Sequence, residues 1–274
     1  MSAWVDLHLH SACSDGAETP EQLAARAAAT GAEAIALTDH DAVTGVAAAQ
    51  QAASAAGIGF LSGVEISACY EQRELHVVGL GINTEAQPLQ ELLRELAEMR
   101  RNRIHTIQER LRAMGIVLEK IEGETETNNN TLGRMHVAVA LRNMGKAASV
   151  QKAFERYLNR GCPAYVPKQL PTAERAIEAI HAAAGRAFIA HPGLGDWMLK
   201  RIEALLTLPF DGMEAWHPSH NSAITRHIIS IAERRNLLIS GGSDCHGNVK
   251  GDGVTLGYVK TPAHYFYRIT EALE

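Results

Sequence analysis

An apolar run that ends in two histidines and an aspartate opens the chain: in WVDLHLHSACSDG, residues 4 to 16, His8, His10 and Asp15 follow Trp4, Val5 and Leu7. If the run is a strand, side chains alternate faces, so His8 and His10 point the same way, roughly 6–7 Å apart at Cα, which is bite distance for one metal ion. The arrangement recurs along the sequence. ALTDHD places His40 at the end of a second apolar run, IGFLSGVEIS delivers Glu65, and RELHVVGLGI carries His76. AFIAHPG ends at His191, where Pro192 cannot donate to a sheet ladder and so stops the strand. FDGMEAWHPSHN carries His217 and His220, and LLISGGSDCHG finishes with Ser243, Asp244 and His246.

His8, His10, Asp15, His40, Glu65, His76, His191, Asp244 and His246 are too many donors for one ion, because metal sites take four to six ligands including water. They suit two or three divalent ions with Glu65 as the bridge. Nitrogen and oxygen donors without thiolate favour Mn, Zn or Fe over Mg or Ca; the donor types do not choose among the three, of which Mn is the first expectation. Ions held about 3.5–4 Å apart polarise a phosphoryl oxygen, bring bound water to a near-neutral pKa and stabilise attacking and leaving oxygens, which is machinery for ester hydrolysis. Neither a G-x-S-x-G elbow nor a phosphate-cradling P-loop is present to suggest another mechanism. Asp39 and Asp41 are expected to orient an imidazole. Cys245 should point to the face opposite its neighbours. His105, His181, His227 and His264 fall on helices and read as surface or packing residues.

The elements that must position these residues follow from turn and cap signals. Thr19, Pro20 and Gly31 bracket a helix, a second Ala-rich helix runs from about Val43 to Ala56, and Thr172 caps another that ends near Gly185. Helices over about 195–206 and up to Arg235 separate the later strands. A short strand at about 254–259 and a helix from Pro262 complete the tail. Strand-helix units with polar residues at the strand's C-terminal end are how β/α barrels build active sites. From about Pro88 the period changes to that of one long amphipathic helix whose Arg100, Arg101 and Arg103 read as a solvated face. The polar stretch GETETNNNTLG and two further helices follow. The expected organisation is a barrel over 1–97 and 168–274 with a small helical insertion over 98–167.

A length of 274 residues with 46% hydrophobic content supports such a domain. A net charge of -5 argues against a generally basic surface for long nucleic acid, duplex DNA included, while a few local Arg and Lys can still serve a small or short anionic substrate. Four cysteines without CxxC spacing, no signal-peptide-length apolar start and no run of 18 apolar residues imply a cytoplasmic protein away from membranes.

The set HLHSACSDG, LTDHD, GVE, LHVVG, AHPG and GGSDCHG resembles the PHP (polymerase and histidinol phosphatase) family of the amidohydrolase superfamily, in the family's order and over nearly the whole chain. The resemblance implies a distorted, TIM-like (β/α)7 barrel, two or three metal ions on the nine residues above, and phosphoester hydrolysis. Arg134 and His136, with the later YVPK loop, are similar to the subgroup of nucleoside 3′,5′-bisphosphate phosphatases and 5′-to-3′ exoribonucleases. There the Arg-x-His lies over the metals and clamps phosphate, a task suited to the guanidinium fork. Met135 stands where that subgroup usually has proline.

Asp244, His217 and Arg134 are therefore the expected catalytic residues, and Arg134, His136, Lys168, His217 and Ser243 the expected substrate contacts. The expected substrate is small and phosphorylated: a nucleoside 3′,5′-bisphosphate or the 5′ end of a short RNA. Cyclic phosphodiesters, sugar phosphates and histidinol phosphate are the alternatives, and an amide or lactone is a more remote one. Oligomeric state is left open.

Overall fold

The computed structural model describes residues 3–118, 121, 133–247 and 254–274. Most of the GETETNNNTLG stretch lies outside them. The chain divides into two compact units, Met1–Leu92 with Pro171–Glu274, and Leu93–Leu170.

In the first unit β1 (Trp4–Leu9) is wholly buried, as its apolar residues require. Helix α1 (Pro20–Thr30) follows, started by a reciprocal Thr19–Gln22 capping box and Pro20, and stopped by Gly31 in the left-handed conformation. Strand β2 (Ala34–Leu37), helix α2 (Val46–Ala55), β3 (Gly59–Tyr70) and β4 (Arg73–Leu80) come next. After the second unit, α6 (Ala173–Ala182), β5 (Arg186–Ile189), α7 (Asp196–Lys200), α8 (Ile202–Leu205), β6 (Gly212–Trp216), α9 (Ser222–Arg234), β7 (Leu238–Gly241), β8 (Thr261–Pro262) and α10 (His264–Leu273) complete the unit. The helix expected over 195–206 is thus two short ones that break at Arg201.

The strands form one sheet in the order β7-β6-β5-β4-β3-β2-β1-β8. It curls almost closed, because β1 also reaches β7: Leu9 bridges Cys245 in parallel, His10 N–H donates to Cys245 O (3.1 Å) and Asp244 N–H to His8 O (2.9 Å). The seven expected strands form an α/β barrel, and β8 is an antiparallel addition on β1. Its place corrects the expected strand at 254–259, where the described residues form loop and turn. The distortion has a definite location. Strands β3 and β4 pair antiparallel, as do β4 and β5, whereas β1–β2, β2–β3, β5–β6 and β6–β7 are parallel.

Two apolar layers hold this frame. Val5, Leu7, Ala34, Ala36, Val78, Leu80 and Phe188 pack together with Ile269 of α10. Trp4, Leu9, Ile35 and Leu37 pack against Leu23 and Ala27 of α1 and Ala49 and Ala53 of α2. The pairing of β1 with β2 shifts register between Asp6 and Leu9, the stretch that carries His8. Cys245 lies in the second layer, opposite the polar groups.

The second unit holds most of α3 (Gln87–Ala113), α4 (Arg134–Asn143), α5 (Val150–Ala153) and a π-helical turn over Phe154–Leu158. It has its own core, in which Ile104, Ile107 and Leu111 meet Val137, Leu141 and Leu158. Arg103 departs from the expected solvated face, since its Nε donates to Val166 O (3.0 Å). No described helix is long and apolar enough to cross a membrane.

Candidate metal centre

Strand ends and the loops after them bring nine donors of the first unit together. Glu65, fully buried on β3, sits at the middle. Its Oε1 lies 2.8 Å from His76 Nδ1 and 2.9 Å from His191 Nε2, and its Oε2 lies 2.9 Å from His40 Nδ1, 3.3 Å from His10 Nε2 and 3.4 Å from His8 Nε2. Asp244 Oδ1 is 3.0 Å from His10 Nε2. Asp15 Oδ1 is 3.1 Å from His246 Nε2, and Asp15 Oδ2 is 4.0 Å from His40 Nε2. Eight of the nine fall into three overlapping groups: His8, His10, Glu65 and Asp244; His10, Asp15, His40 and His246; and His40, Glu65 and His76, while His191 joins through Glu65 Oε1.

The backbone is driven into an uncommon region to achieve this. His191 (φ 28°), Asp244 (φ 50°) and Asp41 (φ 51°) take left-handed conformations that side chains with a Cβ seldom adopt, a strain that collects at functional sites.

The protonation pattern tests whether cations fit. A neutral His8 that donates Nδ1–H to Glu214 Oε1 (2.8 Å) turns its Nε2 lone pair to the Nε2 of His10 at 3.1 Å, with Glu65 beside both. Without a cation, burial opposes a charged His8 ring, but Glu214, Glu65 and Asp244 raise it well above the usual imidazole value. His246 Nδ1 donates to the backbone O of Asp244 (2.7 Å), so a neutral ring turns a bare lone pair towards the Asp15 carboxylate. His10 Nδ1, His40 Nδ1, His191 Nδ1, His246 Nε2, Glu65 Oε2 and Asp244 Oδ1 are buried without a hydrogen bond. The 2.9 Å approach of His40 Nδ1 to Glu65 Oε2 is therefore proximity without hydrogen-bonding alignment. Lone pairs and carboxylates aimed at common points are stabilised by divalent cations, and this donor set fits them.

Charge coupling runs the same way. Burial alone would raise Glu65, but His40, His76 and His8 hold it well below the usual carboxylate range. Burial likewise opposes ionisation of Asp244 and Asp15, and the surrounding imidazoles keep both strongly acidic. Burial disfavours a charged His10, yet the carboxylates of Asp244 and Glu65 beside it push it up to about 9. Burial lowers His40 and His191.

Two buried carboxylates behind the donors were not anticipated from the sequence. Glu214 accepts from His8 Nδ1 and, through Oε2, from the N–H of His191 (2.7 Å), so one side chain orients one ring and pins the backbone of another. Asp6 accepts from the N–H groups of Ser243 (2.8 Å) and Gly257 (3.2 Å), and burial raises it to about 6. Their only sequence signal is a carboxylate inside an apolar strand, WVDLHL and GMEAW.

Other expected residues have different places. Asp39 does not orient an imidazole: it accepts from Ser11 N–H (2.7 Å), Ser11 Oγ (2.6 Å) and Ser14 Oγ (2.5 Å), bracing the loop after β1. Asp41 accepts from the N–H of Ser67 (2.8 Å). Ser243 has no exposed surface to offer a substrate, and its N–H is spent on Asp6. His217 Nδ1 accepts from Ser219 N–H (3.1 Å), which leaves its Nε2–H directed at Asp244 Oδ2, 3.3 Å away. His220 is structural, since its Nδ1 donates to Ala215 O (3.0 Å) and its Nε2 accepts from Gly193 N–H (2.9 Å). In the second unit, Arg134 donates to Leu158 O (3.2 Å) and covers the Phe154 ring, His136 Nδ1 accepts from Gly133 N–H (3.1 Å), and Lys168 is exposed.

Comparison with known proteins decides the family. The model of the PHP domain matches residues 6–162. A 3′,5′-nucleoside bisphosphate phosphatase of Chromobacterium violaceum is 37% identical over 254 residues, 90% of this chain and 88% of the relative. The chain belongs to the PHP domain family. The 5′-3′ exoribonuclease Rnm of Escherichia coli is 34% identical over 88% of this PHP chain and 84% of its own length. A phosphoribosyl 1,2-cyclic phosphate 1,2-diphosphodiesterase of Eggerthella lenta is 31% identical over 88% of the chain and 94% of the relative. Among solved structures, an amidohydrolase from C. violaceum with bound sulfate superposes with a TM-score of 0.81 at 34% identity, covering 99% of this chain and 97% of that one. A protein from Bifidobacterium adolescentis assigned as a metal-dependent phosphoesterase also gives 0.81, at 28% identity, with 98% and 96% covered. This PHP protein is a hydrolase of phosphoric ester bonds.

Proposed function

We propose that the barrel removes phosphate from a nucleotide, with a nucleoside 3′,5′-bisphosphate or the 5′-phosphorylated end of a short RNA as substrate and Mn as the preferred ion. The observation that carries the reading is that Glu65, His10 and His40 are each shared between two of three donor groups, which suits two or three adjacent cations. His8, His10, Glu65 and Asp244 would hold one ion, Glu65, His76 and His191 a second, and Asp15, His40 and His246 a third. Such ions supply a nucleophilic hydroxide near neutral pH and offset charge on the phosphoryl oxygens.

The chain's own residues do the rest. Glu214 keeps the Nδ1 proton on His8, so that Nε2 is free to donate its lone pair. His217, with its Nε2–H directed at Asp244, is the proton carrier for the leaving oxygen. Arg134 and His136, two residues apart at the start of α4, bring the guanidinium and imidazole that the family resemblance gives to phosphate, and Lys168 is a third cation of that set. The relatives named for a bisphosphate phosphatase and an exoribonuclease support this substrate class.

The test is phosphate release from Mn-reconstituted protein given nucleoside 3′,5′-bisphosphates, 5′-phosphorylated oligoribonucleotides, a phosphoribosyl cyclic phosphate and histidinol phosphate. Turnover of the first two above the others is expected. Preference for the cyclic diester would move this chain to the chemistry of its E. lenta relative.

A further inference from the structure

The charge of the chain is unequally divided between its two units. Residues 93–170 carry 14 Lys and Arg against 8 Asp and Glu, whereas the remainder carries 12 against 23, so a net charge of -5 conceals units of about +6 and -11. The imbalance is sharpest in 133–170, where seven Lys and Arg face a single acid, Glu155. That acid is already engaged, 2.6 Å from Lys152 Nζ and 3.0 Å from Gln151 Nε2.

Arg142, Lys146, Arg156 and Arg160 are all exposed, and among the described residues none has a carboxylate partner. Two of them are held together rather than left to separate. Arg156 donates to the backbone O of Lys146 (3.4 Å) and lies 5.1 Å over the ring of Tyr157, whose hydroxyl donates to the same carbonyl (3.2 Å). Arg142 is fixed on Asn143 Oδ1 (2.8 Å), with exposed Met144 next to it. Like charges kept close and unneutralised cost stability unless an anion meets them.

We infer that this corner of the second unit, where α4 ends and the π-helical turn passes it, is a landing surface for the phosphodiester backbone of single-stranded RNA. A net -11 on the other unit repels an extended polyanion, and a basic module in the same chain offsets that repulsion by keeping the strand at high effective concentration. Cationic side chains bind the backbone without reading sequence. The surface therefore acts on oligonucleotides and is silent for mononucleotides. The inference deepens the proposed function, and its binding arm does not depend on it.

The test uses the full chain with Arg142→Glu, Arg156→Glu and Arg160→Glu combined, beside the corresponding triple Lys variant. Fluorescence anisotropy with a labelled 5′-hydroxyl decaribonucleotide reads binding alone. The Glu variant is expected to lose about tenfold or more in affinity, with a salt slope shallower by about 2, while the Lys variant stays near wild type. With substrates, KM for a 5′-phosphorylated decaribonucleotide should rise and KM for a nucleoside 3′,5′-bisphosphate should not. Equal oligonucleotide binding by wild type and Glu variant overturns the inference. So does a parallel rise of both KM values, or capture by phosphatidylserine vesicles without oligonucleotide binding. Loss of turnover on every nucleotide alongside retained, charge-dependent RNA binding would sink the proposed function and leave the landing surface standing.

Discussion

Glu214 and His8 lie 206 positions apart in the chain and meet at 2.8 Å, fully buried, through a carboxylate oxygen and Nδ1. The same carboxylate takes the backbone N–H of His191, so one residue sets the tautomer of one donor and the position of another. Glu214→Gln keeps the shape but turns an amide NH2 towards a group that itself donates. Mn affinity should fall by about 10- to 100-fold, with kcat at saturating Mn changed far less. A competitive metal titration with matched kinetics checks both.

Removing the central carboxylate is expected to do more. Glu65 lies 2.8–3.4 Å from five imidazoles, and Glu65→Ala removes the one buried carboxylate that His8, His10, His40, His76 and His191 share. A loss of about 3 kcal/mol is expected in urea unfolding of the metal-free form, with bound metal and phosphate release falling to background. Elemental analysis of the purified variant measures the metal.

Metal uptake should be proton-coupled. His10 is raised to about 9, so at pH 7.5 the metal-free ring is charged, and it must lose its proton to donate. Mn binding should release protons at pH 7.5 and fewer as pH rises past about 9, with affinity growing over the same range. Calorimetry in two buffers of different ionisation heat reads the number. Without metal the sign reverses: a raised imidazole stabilises fully below its unfolded value, so the His10 contribution is lost as pH climbs from about 6.5 to about 9.

His217→Asn separates a proton carrier from a ligand support. A loss of roughly 100-fold in kcat is expected with metal content unchanged, as for removal of a general acid. A collapse in metal content would instead mean that His217 mainly holds Asp244.

Gly242→Ala tests the closure of the barrel. A Cβ there would lie 2.4 Å from His8 N and 2.6 Å from Asp6 Oδ1, where β1 meets the end of β7. A cost of about 3 kcal/mol is expected, close to a 6–12 °C drop in Tm for a unit of this size. Thermal melts with and without Mn would measure it.

Much of this architecture was legible because its signals are local. Thr19, Pro20 and Gly31 announce α1, and an apolar run that ends in His or Asp announces a barrel strand. The antiparallel β3–β4 pair was not, because its tight turn uses Glu71 (φ 47°) and Gln72 (φ 62°), neither of them a residue that advertises a left-handed turn. Glu214 and Asp6 stayed hidden for another reason. A carboxylate in an apolar strand has meaning only once its partner, here His8 or Ser243, has arrived from the far end of the sequence. Asp39 misled through proximity: adjacent to His40 in sequence, it serves Ser11 and Ser14 in space.

The tie between Asp6 and the N–H groups of Ser243 and Gly257 bears on synthesis as well as on shape. A ribosome delivers Asp6 first and Gly257 some 250 residues later, so the earliest strand must wait for its seam partners. A nascent chain has most of its imidazoles long before it has Asp244. Competence to hold ions therefore arrives late and all at once, and fragments left by interrupted translation carry histidines without an assembled catalyst.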